Sequence, residues 1–208
     1  MNIAILGNDT AFNEAKAKLG ERHQYFHAEL INREVISSVP DVVFDFNTEW
    51  SQASAQVYKT LTAPLFLNTL LTTLAATKKQ MPTGGVIIGF CGLPTFFNRN
   101  RLEVVISNEP DRTPLENILH SLNFDFTVAK DQVGMVTPRV VCMIINEAYD
   151  ALQQGVASRA DIDLSMKMGT NYPFGPFEWA EKIGLENVRK LLLGLQAATH
   201  DPRFNPNF

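Results

Sequence analysis

The sequence predicts an α/β protein: a mostly parallel sheet with helices on its faces over residues 1–130, then an all-α domain over residues 131–208. Three features carry that expectation. Short aliphatic and β-branched runs alternate with helix-patterned runs through the first part, as in successive βαβ units. After Val133-Gly134 the strand-like runs stop, and four helix-patterned runs follow. The chain also opens on a compact apolar strand that ends at Gly7, which is how a βαβ unit begins.

Asn2–Leu6 reads as that first strand, and Phe12–Leu19 as a helix that stops before Gly20. Tyr25–Ala28 is a second short strand and Asp41–Phe46 (DVVFDF) a buried third. Ser51–Leu61 has helical spacing, Pro64–Asn68 is a strand, and Leu70–Lys78 is the next helix. Val86–Phe90 and Leu102–Ser107 are strands separated by a Gly/Pro/Asn-rich loop. Thr113–Leu122 is helical and Phe124–Ala129 is the last strand. In the second part Thr137 is the expected N-cap and Pro138 the first helical residue. An apolar stripe through Val141, Ile144, Ile145, Ala148 and Leu152 then runs to Gly155. Ser158–Asp161 opens a second helix closed by Gly169, Gly175–Glu178 opens a third, and Leu185–Ala198 is the fourth.

Composition narrows the function classes. With 45% apolar and 19% charged residues, the 208-residue chain suits one domain plus a smaller one, or one large domain. A net charge of −4 argues against nucleic acid, which needs a dense Lys/Arg face. No apolar run approaches the ~20 residues of a membrane-spanning helix, and no secretory leader pattern precedes the first strand. Cys91 and Cys142 form neither a metal-ligand nor a redox spacing and suit a reducing cytoplasm, the expected location. Trp50 and Trp179 offer fluorescence reporters of ligand binding.

The run EAYDALQQGVASRADIDLSMKMGTNYPFGPFEWAEKIGL carries a specific signal. Its G-V-A-S-R-x-D-I-D segment and Y-P-x-G-P-F-E loop resemble the C-terminal domain of the 3-hydroxyacyl-CoA dehydrogenases, strongly over about residues 131–190 and weakly before them. The resemblance implies a Rossmann-like N-terminal domain, here truncated and degenerate, and a helical domain that forms the dimer contact. It also implies NAD-dependent oxidation of L-3-hydroxyacyl-CoA to 3-ketoacyl-CoA in fatty acid metabolism.

Function resides in the site, so each working position is compared with the pattern. A dinucleotide loop reads G-x-G-x-x-G, and the six positions here are Gly7, Asn8, Asp9, Thr10, Ala11 and Phe12. Asp9 places a negative charge where a diphosphate should sit, and Phe12 adds bulk where the third glycine allows close packing. DFNTE (Asp45–Glu49) resembles the strand-to-helix turn beside the cofactor ribose, with Glu49 either in that role or as a helix-start carboxylate. In the family's N-T-S-S stretch the first serine contacts substrate; Asn68-Thr69-Leu70-Leu71 puts Leu70 there, which cannot hydrogen-bond.

The family's catalytic pair is a His that accepts the hydroxyl proton and a Glu that orients it. Glu103 stands in the glutamate place and Cys91, twelve residues earlier, in that of the histidine. A thiol beside a carboxylate is a poor base near neutrality, because the neighbouring charge raises its pKa. Glu103 either is a relic or pairs with Arg99 or Arg101. In the family's G-F-I-V-N-R the asparagine binds substrate; Gly134-Met135-Val136-Thr137-Pro138-Arg139 puts Pro138 there instead.

The expectation is therefore a relative that binds no cofactor and has lost NAD-dependent catalysis, acting as an acyl-CoA-binding or partner-binding dimeric module. The alternative is an active oxidoreductase with a rebuilt NAD site. Val140, Met143, Ile144, Leu191, Leu192 and Leu195 are the expected homodimer surface.

Overall fold

The computed structural model describes residues 1–49, 51–81 and 84–208, so Trp50 lies outside the described residues. The chain divides into two compact units, Met1–Met135 and Val136–Phe208.

The first unit carries strands β1 (Asn2–Leu6), β2 (Gln24–Ala28), β3 (Val42–Asp45), β4 (Leu65–Asn68), β5 (Ile87–Phe90), β6 (Arg101–Val105) and β7 (Asp125–Val128). They form one sheet in the order β2-β1-β3-β4-β5-β6-β7. Every neighbouring pair is parallel except β5 and β6, which run antiparallel. Helices α1 (Asp9–Leu19), α2 (Arg33–Ser37), α3 (Gln52–Tyr58), α4 (Leu74–Gln80) and α5 (Arg112–Ser121) fill the connections. Every residue of β3, β4 and β5 is buried, as expected of parallel strands covered on both faces.

A phenylalanine cluster forms much of the core. Phe44 stacks on Phe66 at 4.6 Å, and Phe97 packs edge-on against Phe44, Phe46 and Phe124 at 5.2–5.3 Å. Aromatic pairs in these geometries each add about 0.5–1.5 kcal/mol beyond area burial.

Two local expectations shift. The helix expected from Leu70 starts only at Leu74, because Asn68–Thr72 is used as a turn in which the Thr72 N–H reaches Thr69 O. The helix is then capped twice: Thr73 Oγ1 accepts from the Ala76 N–H, and the Asp131 carboxylate accepts from Leu74 and Ala75 at 2.7 and 2.8 Å. The five-residue α2, capped by the Asn32 side chain, falls in a stretch that reads as loop in sequence.

The second unit contains α6 (Thr137–Gln153), α7 (Arg159–Thr170), α8 (Pro176–Ile183) and α9 (Leu185–Thr199). Val136, not Thr137, is the N-cap of α6, without a side-chain hydrogen bond, and α7 runs past Gly169 to a left-handed Asn171. Val141, Ile145, Phe177, Ile183, Leu191 and Leu192 lead its core. Leu191, Leu192 and Leu195 are completely buried within the unit and offer no surface to a partner, a correction to the expected dimer face. Val140, by contrast, is 51% exposed. No helix among the described residues is long and apolar enough to cross a membrane.

Candidate functional site

The chain leaves β1 toward β2 on one side and toward β3 on the other. The crevice beyond the carboxyl ends of β1 and β3 is therefore the place where such sheets bind ligands. Gly7 ends β1 there with φ +144°, and a Cβ on it would lie 3.2 Å from Phe46 Cβ and 3.3 Å from Ala11 Cβ. That close approach explains the glycine by packing alone.

The mouth of α1 is occupied by side chains of this chain. Asn8 Oδ1 accepts from the Ala11 N–H at 3.0 Å, capping the helix. Asp9 sits in the first turn with its carboxylate almost fully exposed. His27, on β2, lies 2.9 Å through Nε2 from Gly7 O and 3.9 Å through Nδ1 from Asp9. Phe12 stacks flat on the His27 ring at 4.3 Å and meets Tyr25 edge-on. Phe12 thus packs over β2, half-buried, rather than wedging under the helix.

Glu49 is exposed and precedes the Ser51 N-cap of α3, so it is not in that helix's first turn. Four residues earlier, Asp45 is buried. Its carboxyl accepts from Tyr58 Oη and from both the backbone and side-chain N–H of Asn47, the latter at 2.9 and 2.8 Å. Burial pushes Asp45 up to about 6 against those donors, and raises Tyr58 as well.

The antiparallel register pairs Gly89 with Val105 and Phe90 with Val104, and one further step sets Cys91 opposite Glu103. Cys91 is 3% exposed and Glu103 is half-buried. Of the two arginines, Arg99 faces this pair: burial lowers its pKa while Cys91 and Glu103 oppose the shift. Arg101 points elsewhere, to Phe126 O at 3.0 Å and toward Asp125. The sequence contains no cue that Arg99 rather than Arg101 takes this place; the strand register decides it.

The Arg99 loop is held from below by Glu14 on α1, whose carboxylate accepts from Thr95 and Asn98 at 2.9 and 3.1 Å. Leu70 is fully buried in the turn after β4, where its carbonyl accepts from Gly134 at 2.8 Å. In the second unit, Pro138 is buried in the first turn of α6, where a missing N–H leaves no partner wanting. Chemically, the first unit brings together a thiol, a carboxylate and a guanidinium but no imidazole at this position. Among the described residues no cluster of His, Cys, Asp or Glu suits a metal ion.

Comparison with known proteins matches the second unit most strongly. Residues 134–208 fit the family model "3-hydroxyacyl-CoA dehydrogenase, C-terminal domain". The Escherichia coli 3-hydroxyadipyl-CoA dehydrogenase is 49% identical over 76 residues, 36% of this chain and 16% of that protein. The mitochondrial hydroxyacyl-coenzyme A dehydrogenase of Sus scrofa is 33% identical over 57% of this chain and 40% of its own. The chain thus spans less than half the length of these relatives. A crystal structure of (S)-3-hydroxybutyryl-CoA dehydrogenase from Ralstonia eutropha superposes with a TM-score of 0.72, covering 99% of this chain and 90% of that one at 19% identity. That likeness establishes the fold of both units. The helical unit, residues 134–208, therefore matches the C-terminal domain of the 3-hydroxyacyl-CoA dehydrogenases.

Proposed function

We propose that this chain is a non-catalytic relative of the 3-hydroxyacyl-CoA dehydrogenases, a dimeric binding module that takes an acyl-CoA or a protein partner without performing the dehydrogenation. The observation that supports this reading most directly is the state of the α1 N-terminus. A dinucleotide pyrophosphate needs free N–H groups there and a side-chain-free approach. Here the Asn8 side chain takes the Ala11 N–H, and the Asp9 carboxylate adds like charge at the same turn. Phe12 and His27 stack across the β2 side. These residues do not fit the phosphates of NAD, and no reaction step is derived through that cofactor.

The catalytic positions support the same reading. Glu103 faces Arg99 and Cys91, and neither supplies the neutral imidazole base that the resemblance implies. Leu70 and Pro138 offer no side-chain hydrogen bond to a substrate oxygen. The buried Cys91 and Cys142, neither of them in a disulfide, suit a reducing compartment, the cytoplasm in this reading. A homodimer through the helical unit completes the proposal, with Val140, Met143 and Ile144 on the contact face.

The experiment is turnover and binding measured on one preparation. Incubation with 3-hydroxybutyryl-CoA and NAD should give no NADH absorbance above the protein-free control. Acetoacetyl-CoA titrated by calorimetry should show saturable heat if acyl-CoA is the ligand class, and none if the module serves a protein. NADH production that saturates with substrate would refute the non-catalytic reading.

A further inference from the structure

Asn146 lies in the middle of α6, only 3% exposed, on a helix whose other buried residues are apolar. A buried carboxamide costs free energy unless its donor and its acceptor are both paired. One short segment beyond α9 pairs both. Asn146 Nδ2 donates to Asn205 O at 2.8 Å, and its Oδ1 accepts from the Asn207 N–H at 2.8 Å. In an extended chain the backbone groups of residues i and i+2 point to the same side. The carboxamide therefore takes the place that a neighbouring strand would.

The residue between the two asparagines suits that grip. Pro206 has no N–H to leave unpaired on the opposite side, and it biases Asn205 toward extended backbone, seen at φ −60° and ψ 127°. The contacts continue along one stripe of α6, since positions 139, 146, 149 and 153 share a helical face. The Arg139 guanidinium lies 5.5 Å over the Phe204 ring, and the Tyr149 ring packs 4.7 Å from that of Phe208. Gln153 Nε2 donates to Asn207 O at 2.5 Å. From α9, Arg189 donates to Phe208 O and Gln196 to Asn205 Oδ1. Phe204 is buried, but residues 205–208 are exposed or half-buried and are held largely by polar contacts.

We propose that this face of α6 and α9 is a binding site for an extended peptide of the Asn-Pro-Asn-aromatic type, filled in cis by residues 205–208 as a displaceable strap. A peptide is the ligand class because the contacts engage main-chain groups: Asn205 O, Asn207 N–H, Asn207 O and Phe208 O. Main-chain hydrogen bonds give such sites affinity, and a side-chain seat gives specificity, here the aromatic contact on Tyr149. The strap is displaceable because, past Phe204, it buries little and can exchange its hydrogen bonds for water. The proposal uses none of the dehydrogenase positions and stands whether or not the chain turns over substrate.

The test uses the full chain, its Asn146→Leu and Asn207→Pro variants and the double variant. The probe is a fluorescein-labelled peptide of residues 203–208, Arg-Phe-Asn-Pro-Asn-Phe. In Asn146→Leu the amide of residue 207 should exchange with solvent roughly ten-fold faster, while amides of α9 stay protected. Asn207→Pro deletes the N–H that Asn146 accepts but leaves the site itself intact. By fluorescence anisotropy it should bind the peptide roughly ten-fold more tightly than the wild type, whose own strap competes. Adding Asn146→Leu to it should abolish that gain. Should Asn146→Leu unfold the unit and expose α9, the Asn207→Pro comparison decides alone. Peptide binding no tighter to Asn207→Pro than to the wild type would overturn the site. So would equal protection of the residue 207 amide in a folded Asn146→Leu.

Discussion

Tyr58 donates its phenolic hydrogen bond to the buried carboxyl of Asp45, tying α3 to the end of β3. Burial raises Asp45 to about 6, and the hydrogen bonds from Tyr58 and Asn47 only partly oppose it. The folded chain therefore holds this proton more tightly than the unfolded one. The resulting stability is complete below the unfolded value of ~3.9 and is lost as pH rises through about 6, a span worth roughly 3 kcal/mol at most. Asp45→Asn should gain on the wild type in melting temperature between pH 4.5 and 7.5. Melting curves that move in parallel across that range would contradict the buried-acid account.

Gly175 and Gly169 should respond to alanine in opposite senses. A Cβ at Gly175 would lie 2.3 Å from Asp163 Cγ, the group that caps α8 through the Phe177 and Glu178 amides. Displacing that carboxylate combines overpacking with a lost cap and should cost about 2–4 kcal/mol. Gly169 has nothing within 4 Å and sits inside α7, so alanine there should stabilise by about 0.5–1 kcal/mol. Urea unfolding of the two variants beside the wild type reads both, and equal midpoints would remove the distinction.

Cys91→His should not restore dehydrogenase turnover. The register would set the imidazole opposite Glu103, but the Arg99 guanidinium already faces that carboxylate. A general base typically supplies ~10²–10⁴ in rate, while the Leu70 side chain still offers a substrate oxygen no hydrogen bond. Oxidation of 3-hydroxybutyryl-CoA by this variant should stay at the protein-free background. Measurable NADH from it alone would show that the remaining positions are competent.

Much of the fold is legible before any coordinates. Strand runs such as DVVFDF and PLFL, and the Gly and Pro punctuation of the second unit, mark the elements that the structure contains. What sequence leaves open depends on register and on contacts between distant residues. The Asn8 cap is local, its partner three residues away, but the helix starts at Asp9, three residues before the Phe12 start that the apolar spacing predicts. His27 has no local cue, since it meets Gly7 only through the parallel pairing of β1 and β2. The start of α4 waits on Asp131, 57 residues from Leu74. The α9 half of the expected dimer stripe failed for a related reason: Leu191, Leu192 and Leu195 are apolar at helical spacing, but packing within the unit covers them completely.

The central claim is that the α1 N-terminus does not accept a dinucleotide phosphate. Isothermal titration of the full chain with NADH tests it without requiring any substrate or turnover. The account predicts no saturable heat up to about 1 mM, a limit weaker than about −4 kcal/mol. Asn8→Gly combined with Asp9→Gly should leave that unchanged, since Phe12 and His27 still stack across the β2 side. A one-to-one isotherm with a low-micromolar Kd for the wild-type chain would contradict the account.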